Sequence, residues 1–290
     1  MEKRIMMIGA HPDDCDFRCG GLALKYAAKG YKVKFLSAAN GSGGHHSMTP
    51  EETVARRYQE TQRVAELAGI EYDVWLDSDD CELMATLENR KRLVRDIRKF
   101  APDLIITSRS NDYHADHRNI SLLVQDASYL LIVPHFCPDV PAMKKTPVIM
   151  NFYDPFQNPP FAADVVIDID DVIEDKFRLM DCHVSQVYEW LPYTKGTLNQ
   201  VPSDPQERFE WLHCPRIPRD GKTLDESILK TNLIGSQSEY REAVATVKYR
   251  DLLIKRYGER GKHTLFSEAF SVSEYGAPLT EELEKELFPF

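Results

Sequence analysis

Two short stretches of the sequence combine histidine with aspartate in a way that suits a metal ion. The first, AHPDDCD, begins at Ala10, and the second, HADHR, begins at His114. Imidazole nitrogens and carboxylate oxygens are good zinc ligands, and a catalytic zinc keeps three protein ligands and one open position for water. The two stretches therefore predict a catalytic metal site. Its candidate residues are His11, Asp13, Asp14, His114, Asp116 and His117.

The adjacent aspartates of the first stretch have a chemical explanation if a cation lies beside them. Asp13 and Asp14 would otherwise repel each other at the end of an apolar segment. Zinc lowers the pKa of a bound water to about 7, so a neighbouring carboxylate can accept its proton. One carboxylate would bind the cation and the other would act as the base.

Each stretch taken alone also has a purely structural interpretation. HPDD would form a solvated turn whose backbone is fixed by Pro12, and HADHR would form an ordinary helix start with Asp116 near the helix N-terminus. The occurrence of both stretches directly after apolar segments favours the metal site over two unrelated structural motifs.

Six short apolar segments rich in Ile and Val alternate with helical patterns, which predicts an α/β fold. The predicted helices span 51–68, 83–100 and roughly 237–257. Strand–helix alternation is typical of a Rossmann-like, mostly parallel sheet with helices on both faces. The predicted strands are RIMMIGA, KVKFLSAA, YDVWL, DLIITS, PVIMNF and DVVIDI.

This fold predicts where the two histidine stretches meet. AHPDD follows RIMMIG directly, and SRSNDYHADHR follows DLIIT. In open α/β sheets, ligands bind outside the carboxyl ends of the strands, near the point where the strand order reverses. Both stretches are therefore expected at the ligand-binding edge of one sheet.

Bulk properties limit the function classes. The chain of 290 residues has a net charge of −10, which argues against nucleic acid or an anionic membrane as the main partner. No segment approaches the roughly 20 apolar residues of a membrane helix, and the N-terminus does not resemble a signal peptide. The six cysteines are scattered and are predicted to be reduced thiols. These features predict a cytoplasmic protein with a small-molecule substrate.

The chain is predicted to form one domain. Its core is expected at about 3–186, and about 187–290 is expected to add a C-terminal lid and helix region. The stretch YEWLPYTKGTLNQVPSDP, rich in aromatic residues and proline, is typical of an ordered loop or lid. A chain of this length can bury one large core.

The two motifs resemble those of a known family. AHPDDCD resembles A-H-P-D-D-x-E, and HADHR resembles H-x-D-H-R, the paired motifs of the LmbE-like (PIG-L) deacetylases. These enzymes use a divalent metal, usually zinc, to remove acetyl groups from substrates that contain N-acetylglucosamine. LDSDDCEL resembles the family's L-G-x-P-D-G-x-L but lacks its glycines and proline. Helix 51–68 also resembles a family helix, and the likeness covers most of residues 3–186.

The resemblance implies a role for each matching residue. His11, Asp14 and His117 would ligate Zn²⁺, with Fe²⁺ as an alternative metal. Asp13 would be the general base. His114 would stabilise the oxyanion or protonate the leaving amine, and Asp116 would orient His114. Arg57 and Asp80 would bind sugar hydroxyls, and relatives imply a homo-oligomer.

The sequence therefore predicts a metal-dependent N-deacetylase acting on an N-acetylated amino sugar or its glycoconjugate. Two alternatives remain open at this stage. One is a metal-dependent amidase acting on a non-sugar metabolite, and the other is a non-catalytic α/β protein that binds a sugar or nucleotide. The exact substrate depends on loops that the motifs do not describe.

Overall fold

The computed structural model describes residues 3–220, 224, 226, 227 and 238–290. Within these residues, seven strands form one sheet. The strands are β1 (Arg4–Gly9), β2 (Lys32–Ser37), β3 (Glu71–Val74), β4 (Leu104–Thr107), β5 (Val148–Phe152), β6 (Val165–Asp168) and β7 (Ser267–Val272). Each predicted strand corresponds to one of β1–β6, with ends that differ by at most two residues.

Helices cover both faces of this sheet. They are α1 (Asp14–Ala28), α2 (Pro50–Ala68), α3 (Leu87–Phe100), α4 (Ala115–Leu130), α5 (Ile173–Cys182), α6 (Leu191–Thr194), α7 (Pro205–His213), α8 (Glu239–Lys248), α9 (Arg250–Tyr257), α10 (Glu259–His263) and α11 (Glu281–Leu287). A π-helical turn, Ser185–Trp190, precedes α6, and a 3-10 turn, Leu198–Gln200, follows it. Among the described residues, none of the helices has both the length and the apolar content needed to cross a bilayer.

The central strands are apolar because helices bury both of their faces. Successive side chains of a strand point to opposite sides of a sheet. In β1, Ile5 and Met7 belong to one buried cluster, whereas Met6 and Ile8 belong to another. The continuous apolar run of β1 therefore serves two cores, as expected of a strand covered on both faces.

The sheet order is β3-β2-β1-β4-β5-β7-β6, which confirms the predicted mostly parallel α/β fold. Strands β1 to β5 pair in parallel, and β7 runs antiparallel between β5 and β6. The chain moves outward from β1 through β2 to β3, then returns to place β4 on the other side of β1. This reversal lies between β1 and β4, so the loops that follow these two strands flank the site where such sheets bind ligands.

Each predicted helical range contains a helix in the structure, but the ends of the helices differ from the predicted ends. Helix α2 begins at Pro50, one residue before the predicted start, because Thr49 and Glu52 form a reciprocal capping box around Pro50. Helix α3 begins at Leu87 rather than at residue 83, since the Thr86 side chain accepts the main-chain N–H of Asn89 and caps the helix there.

The helix predicted at 237–257 is divided into α8 and α9. The two helices meet at Tyr249, whose φ of −119° and ψ of 30° lie outside the helical region. Residue 237 lies outside the described part of the chain. The C-terminal part also supplies β7, which lies inside the sheet rather than in a lid.

A buried ion cluster connects α1 to the C-terminal part. The Lys176 ammonium contacts Glu242 of α8 and lies 3.0 Å from Glu268 of β7. The Glu268 carboxylate also accepts the main-chain N–H groups of Gly21 and Leu22 in α1, at 2.9 and 2.8 Å. Lys176 thus offsets two carboxylates that are almost completely buried.

Substituting Lys176→Met is expected to lower the free energy of unfolding by about 3–5 kcal/mol. The reason is that the substitution leaves two buried carboxylates without their cation. Urea denaturation followed by circular dichroism measures this loss. Lys262→Met is the matched control, because Lys262 pairs with Glu259 at the surface and exposed pairs contribute little. Equal stability for Lys176→Met and wild type would contradict this interpretation.

Candidate metal centre

A tight turn joins β1 to α1 and orients Asp14. One carboxylate oxygen, Oδ2, accepts the main-chain N–H groups of Ala10 and His11, both at 2.9 Å. A Cβ added at Gly9 would lie 2.7 Å from the Asp14 Cβ, so this close approach requires glycine. The turn therefore fixes the carboxylate at the carboxyl end of β1.

The structure brings the three predicted metal ligands together. His11 Nδ1 lies 3.2 Å from His117 Nε2 and 3.7 Å from Asp14 Oδ2, and His117 Nε2 lies 3.2 Å from Asp14 Oδ1. Tetrahedral ligands at zinc distances of 2.0–2.2 Å are separated from each other by about 3.4 Å. The three side chains therefore fit a single divalent cation, although Asp14 begins α1 and His117 lies in the first turn of α4, about 100 residues later.

Carboxylates behind the two imidazoles determine which ring nitrogens face the cation position. Asp112 Oδ1 lies 3.0 Å from His117 Nδ1. Asp116 Oδ2 and Asp80 Oδ1 each lie 3.1 Å from His11 Nε2. A carboxylate on one ring nitrogen holds the proton there and leaves the other nitrogen as a ligand. His11 Nδ1 and His117 Nε2 are thus available to a metal.

The electrostatics of this site favour a positive charge between the ligands. Burial alone would lower the pKa of His11, but the hydrogen bonds that its ring donates to the Asp116 and Asp80 carboxylates raise that pKa to about 10. Burial likewise opposes protonation of His117, and its carboxylate neighbours raise its pKa to about 9. Burial would raise the pKa of Asp14, yet His117 and His11 hold it well below its usual range. A divalent cation would supply the positive charge that these carboxylates favour.

Asp13 lies next to this position in a strained conformation. Its φ is 150°, which is unusual for a residue with a side chain. Its carboxylate lies 3.0 Å from Arg57 Nη2. Burial raises the pKa of Asp13 to about 6, and the Arg57 guanidinium opposes that rise. The turn therefore presents a carboxylate whose charge is partly offset by a single guanidinium.

Arg57 lies behind Asp13 and not at the open side of the site. Only 2% of this residue is exposed, and its guanidinium also donates to the carbonyl of Pro12 at 2.7 Å. A Cβ added at Gly41 would lie 2.4 Å from Arg57 Nη1, so the loop after β2 passes directly over the guanidinium. Arg57 is predicted to bind sugar hydroxyls; in the structure its guanidinium is buried and contacts the Asp13 carboxylate.

His114 is the N-cap of α4 and directs its other ring nitrogen toward the site. Its Nδ1 accepts the main-chain N–H of Asp116 at 3.2 Å, which leaves the proton on Nε2. The ring lies 4.6 Å from that of His11 and 5.1 Å from that of His117. Burial and these two neighbours lower the pKa of His114. The neutral imidazole can therefore donate a hydrogen bond from Nε2.

Asp116 is predicted to orient His114, but the carboxylate of Asp116 has other partners in the structure. The His114 Nδ1 lone pair already accepts a main-chain N–H, so it offers no proton to a carboxylate. The Asp116 carboxylate instead faces two donors, His11 Nε2 at 3.1 Å and the main-chain N–H of Cys81 at 2.8 Å. Asp116 thus orients a predicted ligand, and only its amide contacts His114.

Asp80 and Asp112 also lie behind the predicted ligands. Asp80 is predicted to bind sugar hydroxyls; in the structure its side chain is 8% exposed and contacts His11. Asp112 is not among the predicted site residues, although the stretch NDYHADH places it five residues before His117. The sequence signal was therefore present as an additional acid, and only the fold identifies its partner.

Asp112→Asn is expected to weaken metal affinity by about 10–100-fold. Removing the charge behind a ligating imidazole makes that ligand less basic and loosens its orientation. Competition with a chromophoric chelator measures the affinity. Asp126→Asn is a suitable control, since Asp126 pairs with Arg90 on an exposed part of α4. Unchanged metal affinity in Asp112→Asn would show that Asp112 does not support metal binding.

The remaining residues around the site differ in exposure. His183 is fully buried and lies 3.2 Å from Asp16 Oδ1, while Tyr72 donates to Asp16 Oδ2 at 2.9 Å. This buried group supports α1 from behind. Tyr113 is 72% exposed, and its ring lies 5.7 Å from that of His114. Tyr113 therefore lies on the open side of the cluster.

Two comparisons with known proteins identify the same family. Residues 6–128 match a protein-family model described as PIG-L, GlcNAc-PI de-N-acetylase. A diacetylchitobiose deacetylase from Thermococcus kodakarensis is 32% identical over 206 residues, which cover 67% of this chain and 75% of that protein. The family-model match over residues 6–128 includes both histidine stretches.

Two further proteins resemble this chain at lower identity. The structure of an N,N'-diacetylchitobiose deacetylase from Pyrococcus horikoshii, in complex with an inhibitor, superimposes with a TM-score of 0.63 and 22% identity. That alignment covers 94% of this chain and 84% of the other. A 4-oxalmesaconate hydratase from Pseudomonas putida is 23% identical over 209 residues, covering 69% of this chain and 80% of the hydratase.

Proposed function

Because this chain belongs to the LmbE-like (PIG-L) family of deacetylases, we propose that it is a divalent-metal-dependent N-deacetylase. The substrate would be an N-acetylated amino sugar of the N-acetylglucosamine type, or a glycoconjugate of it. The observation that carries the proposal is the convergence of His11 Nδ1, Asp14 and His117 Nε2 beside Asp13. Two imidazoles and one carboxylate are a typical ligand set for a hydrolytic zinc, and Fe²⁺ is an alternative.

The metal would be held by His11, Asp14 and His117. When bound, it would supply Lewis acidity that activates water and polarises the amide carbonyl. The carboxylates behind the imidazoles, Asp112 on His117 and Asp116 on His11, would hold both rings in the ligating tautomer. This support would keep the ligands in place before substrate binds.

Asp13 would act as the general base. Its carboxylate would accept the proton of the attacking water as the bond to the acetyl carbonyl carbon forms. Arg57 would orient this carboxylate through the contact of 3.0 Å, and the buried guanidinium cannot move away without losing its carbonyl partners. Arg57 is therefore a positioning residue in this mechanism.

His114 would act on the other side of the reacting amide. Its Nε2–H would donate to the oxygen on which negative charge develops, or to the nitrogen of the leaving amine. The hydrogen bond from the Asp116 amide to Nδ1 would keep the proton on Nε2. The products would be acetate and the free amino sugar.

A screen for acetate release tests this proposal. The purified chain would be dialysed against a chelator, reloaded with one equivalent of Zn²⁺, and incubated with N-acetylglucosamine, diacetylchitobiose, N-acetylglucosamine glycosides and simple N-acetyl amides. Proton nuclear magnetic resonance detects acetate directly. Zinc-dependent acetate release from a sugar substrate is expected, with none from the dialysed protein.

Three outcomes would overturn parts of the proposal. Acetate release confined to simple amides would replace the sugar substrate with a non-sugar metabolite. No acetate release with any substrate, together with water addition to 4-oxalmesaconate, would favour the chemistry named for the Pseudomonas putida relative. Activity that persists after chelation would remove the metal from the mechanism.

A further inference from the structure

A narrow pocket adjoins the proposed metal centre and contains groups that the mechanism above does not use. Its walls include two predicted metal ligands, Asp14 and His117, and two arginines, Arg18 and Arg109. Arg18 reaches the pocket from α1, in which it lies one turn after Asp14. Arg109 reaches it from the loop after β4. The pocket therefore contains positive charge next to the predicted position of the metal.

The two arginines differ in their partners. Arg109 forms a bidentate ion pair with Asp154, in which its Nε and Nη2 lie 2.6 and 2.5 Å from the two carboxylate oxygens. Arg18 donates one hydrogen bond, from Nη1 to the carbonyl of Tyr153 at 3.1 Å, and forms no ion pair with a carboxylate of the described residues. Arg18 is half-buried, so its other N–H donors are open to the pocket.

The carboxylates of this pocket are all engaged by other residues. Asp14 faces His117 and accepts two main-chain N–H groups, and Asp112 faces Nδ1 of His117. Asp154 is paired with Arg109. Within the described part of the chain, Arg18 is therefore the arginine of this pocket without an ion-pair partner.

Two further cations lie near Arg18. Burial lowers the pKa of Arg241 in α8, and the neighbouring charge of Arg18 lowers it further. Partial burial lowers the pKa of Lys195 to about 8, with a smaller contribution from the charge of Arg241. Cations that are close together disfavour each other's charged form, and an anion between them removes this penalty. The charges around Arg18 thus favour an anionic ligand over a neutral one.

We propose that Arg18 and this pocket form an anion subsite, which binds a phosphate or carboxylate group carried by the amino sugar substrate. The inference rests on the proposed function, because the amino sugar carries the anion. A guanidinium binds either anion through paired, charge-assisted hydrogen bonds, which also fix the orientation of the ligand. The subsite therefore selects acidic amino sugars over neutral ones.

The position of the pocket limits where the anion is attached to the sugar. Asp14 and His117 line the same pocket as Arg18, so an anion on Arg18 lies close to the metal position at which the acetamido group reacts. The anionic group is therefore carried on a ring carbon next to the acetamido carbon. A phosphate at the far end of the sugar, as in glucosamine 6-phosphate, would lie away from Arg18.

Binding of deacetylated sugars to the full chain tests the subsite without turnover. Isothermal titration calorimetry, on protein loaded with one equivalent of Zn²⁺, would compare glucosamine with glucosamine 1-phosphate and with muramic acid. The last two carry a phosphate and a carboxylate on the two carbons next to the amino carbon. At least one of them is expected to bind about 10–100-fold more tightly than glucosamine, because hydrogen bonds to charged groups are the stronger ones. The tighter of the two identifies the anion.

Three variants separate the role of Arg18 from a structural one. Arg18→Met is expected to bind glucosamine as wild type does and to lose the preference for the acidic sugar. Arg18→Lys is expected to keep part of the preference, because it retains the charge but not the paired N–H groups. Arg178→Met is the matched control, since Arg178 pairs with Asp175 at the surface of α5. It is expected to keep the full preference.

The outcomes separate this inference from the proposed function. Equal affinity of wild type for glucosamine and both acidic sugars would overturn the subsite, and so would a preference that survives in Arg18→Met. Glucosamine 6-phosphate binding as tightly as the better acidic sugar would place the anion away from Arg18 and would also overturn it. If acetate is released, kcat/KM for the acidic N-acetyl sugar relative to N-acetylglucosamine is expected to fall about 10-fold or more in Arg18→Met. Acetate release without any such preference in wild type would overturn the subsite and leave the proposed function intact.

Discussion

Replacing Asp13 with asparagine is expected to lower kcat for deacetylation by about 10³-fold while the bound metal remains. General-base catalysis by a positioned carboxylate contributes about 10²–10⁴-fold, and an amide in its place cannot accept the proton of the attacking water. Asp13 itself is not among the three converging ligands, so the affinity for zinc is expected to change little. Acetate release and metal content, measured on the same preparation, test both statements.

The substitution has a close control elsewhere in the chain. Asp77→Asn also removes an aspartate charge that pairs with an arginine, but Asp77 lies at the surface and contacts Arg92. It is expected to keep full activity. Full activity in Asp13→Asn would remove this residue as the base, and loss of metal from Asp13→Asn would place it among the ligands instead.

Replacing His117 with alanine is expected to abolish deacetylation and to lower zinc affinity by more than about 100-fold. Removing a carboxylate that only contacts a metal ligand lowers metal affinity by about 10–100-fold. Loss of a ligating nitrogen should therefore lower the affinity further. Lewis acidity contributes several kcal/mol to the reaction, and each 1.36 kcal/mol is a factor of ten in rate. The expected loss in kcat/KM at one equivalent of zinc is therefore about 10³-fold or more.

Metal analysis after gel filtration, combined with the acetate assay, measures this effect. His135→Ala is the control, because His135 is exposed and lies beyond α4. It is expected to retain both zinc and activity. A His117→Ala variant that retained zinc with wild-type affinity would show that the cation binds elsewhere.

The sequence predicted the sheet and the meeting of the two histidine loops because both depend on local patterns. Apolar runs such as those of β1 and β4 indicate strands covered on both faces, and the alternation with helices indicates parallel pairing. The strand order then brings the loop after β1 next to the loop after β4. His11, Asp14 and His117 converge as a consequence of that topology.

The roles of the surrounding carboxylates were harder to predict, since they depend on contacts between distant loops. Asp80 and Asp116 both contact His11, which is 69 and 105 residues away in the chain. The spacing of residues along the sequence does not indicate which of several carboxylates will contact a given imidazole. Arg57 likewise matched a family helix, but its burial behind Asp13 follows from the packing of the loop after β2 against α2.

The antiparallel strand β7 shows a second limit of local patterns. Its residues are not among the six predicted strands, although they form the strand between β5 and β6. Glu268 is buried in this strand, and a charged residue at such a position makes a strand harder to predict from the sequence. Lys176 and the α1 amides that satisfy its carboxylate lie far away in the chain.

One cation is expected to be bound jointly by the turn between β1 and α1 and by the first turn of α4. An anomalous difference map at the zinc absorption edge, from crystals of the protein loaded with one equivalent of Zn²⁺, tests this expectation. One peak is expected, about 2.0–2.2 Å from His11 Nδ1, His117 Nε2 and a carboxylate oxygen of Asp14. A fully occupied peak elsewhere, or zinc loading without any peak between these three side chains, would contradict it.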